Sequence, residues 1–304
     1  MEIENCVKVP IQTYRTVLRA IKKWARERYV YGNTFSYPNG VCLAIMVARL
    51  CLVDFKLSSS KLFRLFFTFY RQWLARKDNI QPIYITANIN PRNVNLAGML
   101  PCWEQSKRRE DLLPIINPAY PYVNAAHTVG RCSLHFFTEE VNRVCCILDE
   151  CKLDTPYGVV WERYNPLGVF NCFLAVHVAC RAPSDIQLAT MFRSKKGYVE
   201  SKLRFLIYAL ETTMTVRPIS DRLALPQGPS VLPSKECVFL FGLRDFANED
   251  RSFLPKHSYF TSYFNYLLEA VHHDMPADCL SSFDVPLFYT VHAPSDSYLT
   301  SLLR

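Results

Sequence analysis

Tyr14-Arg-Thr-Val-Leu-Arg-Ala-Ile-Lys-Lys-Trp-Ala25 sets the reading of this chain. Its apolar residues Tyr14, Val17, Leu18, Ile21, Trp24 and Ala25 recur at i, i+3, i+4 and i+7, the period of an amphipathic helix. The pattern predicts a helix over 12–30, with Arg15, Arg19, Lys22 and Arg26 along the opposite face. Tyr31-Gly-Asn33 and Ser36-Tyr-Pro-Asn-Gly40 read as turns. Gly40 opens an almost wholly apolar second helix to Val53, which should therefore be central to a core. Ser58, Ser59 and Ser60 offer N-caps for a third helix over 61–76. Residues 77–136 read as irregular, dense in proline, and carry the basic run Lys107-Arg108-Arg109. Thr138 is the expected cap of a further helix to Lys152, with Glu139 and Glu140 at its positive end.

Downstream the period changes. Residues 169–179 alternate as a strand does, 184–192 and 198–212 read helical, and 213–218 and 237–243 read as strands. A helix over 257–272 and a strand over 285–291 complete a β-α-β-β-α-β order, the ferredoxin-like signature. The expected fold class is therefore α+β: a helical domain over residues 1–155, then a ferredoxin-like domain over residues 156–304.

Half of the 304 residues are hydrophobic and a fifth are charged, which supports real cores and excludes wholesale disorder. The net charge of +8 is unevenly spread. Residues 1–110 hold 18 Lys+Arg against 7 Asp+Glu, and residues 111–304 hold 17 against 20. The asymmetry reads either as a polyanionic partner near the N-terminal part or as a solvated basic face without a ligand. The twelve cysteines form no C-x-x-C pair, and Cys42, Cys51, Cys172 and Cys180 lie in apolar runs, so they read as buried free thiols. Acidic Glu2 and Glu4 after Met1 do not resemble a secretory signal, and a reducing compartment, cytosol or nucleus, is expected. The longest apolar stretch, 40–53, is interrupted by Arg49 and is too short for a bilayer, so no membrane partner is expected.

Enzyme motifs are sparse. No H-E-x-x-H, G-x-S-x-G, P-loop or G-x-G-x-x-G occurs. Ser58-Ser-Ser-Lys61 fits S-x-x-K in form but reads as a helix cap, and His272-His273 reads as a helix end. Two-metal nucleotidyl transfer needs clamped carboxylates. No D-x-D pair and no Gly-Ser turn occurs, and Asp149-Glu150 and Glu249-Asp250 are consecutive, so their side chains diverge. No catalytic residue and no metal ligand is expected.

Three stretches are more specific. The first is Leu18-Arg-Ala-Ile-Lys-Lys-Trp-Ala-Arg-Glu-Arg28 with Tyr31-Gly-Asn33, Asn39-Gly40-Val41 and Met46-Val-Ala-Arg49. The second is Leu113-Pro-Ile-Ile-Asn-Pro-Ala-Tyr-Pro121, and the third is Val199-Glu-Ser-Lys-Leu-Arg204. In order and spacing they resemble the eukaryotic nuclear poly(A) polymerase family, whose counterparts look like LRAIKLWA, Y-x-N, GGV and MLVAR, then MPIITPAYP, then VESKIR. The resemblance spans roughly residues 14–300 and thins after about 220. It implies a helical central domain followed by an RRM-like domain, without the family's N-terminal nucleotidyltransferase domain and its aspartates.

The resemblance also implies a nucleotide site. Lys22 matches a lysine that contacts a triphosphate oxygen, and Tyr31 and Asn33 match further nucleotide contacts. Gly40 and Val41 match the turn whose backbone approaches ATP. Lys202 and Arg204, with Arg193, Lys195 and Lys196 before them, are the expected RNA phosphate contacts. No RNP1-type aromatic signature is present, so base stacking on the sheet is not expected. The implied function is polynucleotide adenylyltransferase, adding adenylates from ATP to RNA 3′ ends in mRNA polyadenylation. ATP is the implied substrate, Mg2+ or Mn2+ serves the complete family enzyme, and the isolated chain is expected to be inactive. The implied location is the nucleus, with a pre-mRNA 3′-processing complex as partner. The alternative is a non-catalytic RNA-binding or assembly module derived from the family. Three departures bear on this choice: Ser36 stands where the family has Gly, Asn39-Gly40 where it has two glycines, and Asn117 where it has Thr. Asn39 is expected to preserve the turn because it tolerates φ > 0.

Overall fold

A computed structural model describes residues 2–5, 7–53, 56–76, 80–85, 103, 111–119, 122–150, 157–170, 172–224, 233–244, 258–274 and 287–303. The chain divides into two compact units, Met1–Tyr164 and Asn165–Arg304. Lys107-Arg108-Arg109 and Glu249-Asp250 lie outside the described residues.

The first unit is helical. After a short helical turn, Glu2–Asn5, α1 spans Ile11–Glu27 and buries Tyr14, Val17, Ile21, Trp24 and Ala25, the stripe its period defines. Pro10 starts it, its carbonyl accepting the amides of Thr13 and Tyr14. The helix α2, Gly40–Cys51, is buried on nearly every side, as its apolar run requires. Tyr14 and Tyr70 brace it by donating their hydroxyls to the carbonyls of Ala44 and Met46. The helix α3, Ser59–Leu74, is capped by Ser58. Trp24 is fully buried where α1 and α3 meet α4, Arg131–Glu150, with edge-on contacts to Phe67 at 5.0 Å and Phe137 at 5.8 Å.

The start of α4 corrects the sequence reading. It begins seven residues before Thr138, and the Thr138 hydroxyl donates to the Leu134 carbonyl within the helix. Glu140 is therefore not an exposed carboxylate at a helix N-terminus. It is 3% exposed and accepts two hydrogen bonds from Arg28 and one from Arg143. Arg28 also donates to the Glu162 carbonyl and Arg143 to those of Val159 and Val160. The cluster thus ties α1 and α4 to the 3-10 turn Tyr157–Trp161 and the residues after it.

The second unit is a four-stranded antiparallel sheet with helices, which makes the chain α+β. In chain order it has β1 Cys172–Arg181, α5 Asp185–Leu210, β2 Thr215–Ala224, β3 Ser234–Arg244, α6 Ser258–Asp274, β4 Phe288–His292 and α7 Ser297–Leu303. The sheet order is β2-β3-β1-β4. Leu174 pairs with Phe241 and Val291, and Val176 with Phe239 and Tyr289. Pro218 sits opposite Phe241 on edge strand β2, the kind of strand in which proline is tolerated. Gly242 is required: a Cβ there would meet the Phe170 ring at 2.5 Å.

Two sequence expectations are corrected here. The segments 184–192 and 198–212 form one helix, α5, which runs unbroken through Gly197. Lys195 on that helix is not an exposed phosphate contact. It is fully buried and donates its ammonium to the Ala179 carbonyl at 3.2 Å.

Candidate nucleotide site

Lys22 sits four residues before Arg26 on α1, so both project from the same side of the helix. The chain leaves α1 through Tyr29 at φ 53° and then folds back on itself. Gly32, at φ 105°, donates to the Pro38 carbonyl and accepts from the amides of Phe35 and Tyr37. This closed loop, containing the 3-10 turn Asn33–Phe35, returns Gly40 to Tyr31.

The result is a tight meeting of three residues. A Cβ built on Gly40 would lie 2.7 Å from the Tyr31 hydroxyl oxygen and 3.3 Å from both Cε and Nζ of Lys22. The guanidinium of Arg26 stands 4.9 Å from the Tyr31 ring centroid. Among the described residues no acidic side chain is paired with Lys22 or Arg26. Two positive charges, a phenol and a backbone without a side chain thus share one corner. Such a set suits an anion that presents several oxygens. Arg26 had been read only as part of a basic face, although its spacing of four from Lys22 already carried the signal.

Asn33 is exposed at the start of the 3-10 turn, and Val41 is 45% exposed in the first turn of α2. Asn39 departs from its expected role. Its backbone is extended, at φ −88° and ψ −178°, and its side-chain oxygen accepts from the amides of Val41 at 2.9 Å and Cys42 at 3.0 Å. The left-handed residue is Ser36 instead, at φ 61°. Its hydroxyl is buried with no hydrogen-bond partner among the described residues. Both facts explain why glycine suits that position. Next to Val41, burial pushes the Cys42 thiol up to about 11. In the proline-dense stretch the Asn117 amide donates to the Val123 carbonyl.

The second expected site has a different geometry. Lys202 and Arg204 are two residues apart on α5, roughly 200° around the helix, so they share no stripe. The Lys202 ammonium stands over the Tyr198 ring at 5.4 Å and the Arg204 guanidinium over the Phe205 ring at 4.7 Å. Among the described residues no group of three His, Cys, Asp or Glu side chains could hold a metal ion.

Comparison with known proteins sets the class. Residues 13–163 match the family described as Poly(A) polymerase central domain. The helical unit belongs to that family. Three curated relatives extend the match along the chain. Nuclear poly(A) polymerase 4 of Arabidopsis thaliana is 32% identical over 202 residues, 65% of this chain. Nuclear poly(A) polymerase 2 of the same plant is 32% identical over 240 residues, 76% of this chain. Poly(A) polymerase PAPalpha of Candida albicans is 29% identical over 215 residues, 69% of this chain. The chain thus matches eukaryotic poly(A) polymerases over most of its length, and it spans 25%, 28% and 36% of these three relatives.

Proposed function

We propose that this chain holds the triphosphate of ATP during adenylate addition to RNA 3′ ends in the nucleus. The observation that carries the reading is the convergence of Lys22 and Tyr31 on the side-chain-free face of Gly40. A lysine ammonium is a compact charge suited to a phosphate oxygen, and Arg26 adds to the same positive field. Gly40 admits the phosphate because nothing projects from its backbone. The family resemblance assigns the metal-clamping carboxylates of nucleotidyl transfer to a separate nucleotidyltransferase domain, and the role of this chain is to hold substrate. Lys202 and Arg204 contribute to RNA affinity as separate phosphate contacts, with Arg193 and Lys196 nearby on α5. The chain alone, given ATP, an RNA primer and Mg2+ or Mn2+, adds no adenylate. Fused to a nucleotidyltransferase domain from a relative, it extends the primer, and Lys22→Ala in the fusion raises KM for ATP about tenfold, the loss of one charge-assisted contact. Extension by the chain alone, or an unchanged KM in the variant, contradicts the proposal.

One observation favours a second reading, a non-catalytic RNA-binding or assembly module. The Asn39 side chain already occupies the Val41 and Cys42 amides at the start of α2, where the family turn approaches ATP. That reading predicts salt-dependent RNA binding without ATP binding. Absence of RNA binding at low salt contradicts it.

A further inference from the structure

A pocket of about 460 Å3 opens in the helical unit on the side of α1 away from Lys22. Val17 and Ala20 lie roughly 140–160° around α1 from Lys22, so the pocket and the nucleotide corner use different faces of one helix. Phe63 of α3, Leu148 of α4 and Trp161 of the 3-10 turn complete its apolar lining. The Trp161 N–H donates to the Ala20 carbonyl at 3.0 Å, so the only polar group of that ring is already satisfied. Its ring lies 5.4 Å from that of Phe63.

The mouth is basic. Lys61 and Arg64 line it, and the first turn of α3 that opens there holds no acidic residue. Arg64 is ion-paired with exposed Asp149 at 3.8 Å, so Lys61 is the uncompensated charge of the lining among the described residues. Arg64 braces the wall by donating to the Leu148 carbonyl at 2.7 Å. Lys61 is exposed and free to reach outward. Lys23, exposed, continues the stripe of α1 that Thr16 and Ala20 begin. The volume falls within the range of about 300–1,000 Å3 at which pockets bury a substantial ligand.

We propose that this pocket docks an acidic peptide segment of a partner protein, with a bulky apolar side chain of that peptide seated between Ala20, Phe63 and Trp161. Charge complementarity selects the occupant: the rim is positive and its interior apolar. A second copy of this chain would bring the same positive rim against itself. A nucleobase would set most of its hydrogen-bonding edge against Val17, Leu148 and ring carbons, with hydroxyls only at Thr16, Ser59 and Ser60.

The test uses the full chain labelled with 5-fluorotryptophan, the Trp161 signal being assigned from Trp161→Phe. The probes are fluorescein-labelled Asp/Glu-rich peptides with a central Trp, Phe or Leu, matched peptides with Lys in place of Asp/Glu, and oligoadenylate RNA. The acidic peptides shift the Trp161 signal and bind about tenfold more tightly than the lysine-rich ones. Lys61→Glu at the exposed rim and Ala20→Leu within the pocket each weaken acidic-peptide binding about tenfold. Equal affinity for the acidic and lysine-rich peptides overturns the proposal. So does unchanged acidic-peptide binding in both variants, or a Trp161 shift produced by oligoadenylate and not by the peptides.

Discussion

Gly40 is the residue on which the nucleotide reading turns, and its substitution separates binding from stability. Gly40→Ala places a methyl against the ends of two flexible side chains, at 2.7 Å from the Tyr31 hydroxyl and 3.3 Å from Lys22 Nζ. Both can move aside, so stability should stay within about 0.5 kcal/mol of the parent. ATP affinity, measured by calorimetry, should fall about tenfold because the phosphate loses its approach and Lys22 its position. Equal ATP affinity in the variant contradicts the assignment. Ser36 predicts the opposite pattern. Ser36→Gly relieves a left-handed backbone and removes a buried hydroxyl without a partner. Against the entropy glycine costs, the net gain should be about 1–2 kcal/mol, read as a higher urea midpoint. A lower midpoint would show that the hydroxyl is engaged. At this scale the family resemblance named which residues gather: Lys22, Tyr31 and Gly40, on the first helix, the turn after it and the start of the second. It did not disclose that Asn39 would cap α2 while Ser36 took positive φ. Asn and Ser tolerate both roles, and the hydrogen bonds of the closed loop make the choice.

Among the elements, α4 shows how burial can override a local signal. Thr138-Glu139-Glu140 has the composition of a helix start, yet Arg28, 112 residues earlier, takes Glu140 into the interior. No local pattern announces a partner at that separation. Glu140→Gln leaves the guanidinium of Arg28, itself only 8% exposed, facing a neutral group beside Arg143. We expect a loss of about 3–5 kcal/mol in unfolding free energy, the cost of breaking a buried pair from one side. A change below about 1 kcal/mol, by urea denaturation, would mean that the cluster is solvated. The same contest explains α5. Residues 193–197 fall between the two segments that read helical, but Lys195 turns inward to the Ala179 carbonyl and the helix runs through. The sheet was easier to read because its strands are apolar runs: β1 is buried from Phe173 to Val178 and β3 from Cys237 to Leu243, on both faces and not in alternation. The strand limits shifted by several residues where turns, not side-chain alternation, end the pairing.

Across the whole molecule, protons held by buried groups set the alkaline limit of stability. Burial pushes Cys42 up to about 11, and Cys51, Cys237, Tyr14 and Tyr298 up to about 12, from ordinary values of 9.0 for thiols and 10.0 for phenols. The folded chain therefore binds these protons more tightly than the unfolded chain. Their contribution is complete below about pH 9 and is lost as pH rises toward 12. The Tm should fall steadily between about pH 9 and pH 11, and an unchanged Tm across that interval contradicts the burial of these groups. The α+β class and the basic first third were legible from periodicity and charge alone, because both are summed over many residues. The pocket under Trp161 was not, since it joins positions as distant as Thr16 and Trp161. The central claim, that the Lys22–Tyr31–Gly40 corner holds a triphosphate, is tested most directly by titrating ATP into the parent chain and Lys22→Ala by calorimetry. The claim predicts saturable ATP binding weakened about tenfold in the variant at unchanged Tm. Equal ATP binding by the two proteins, or none by the parent, would contradict it.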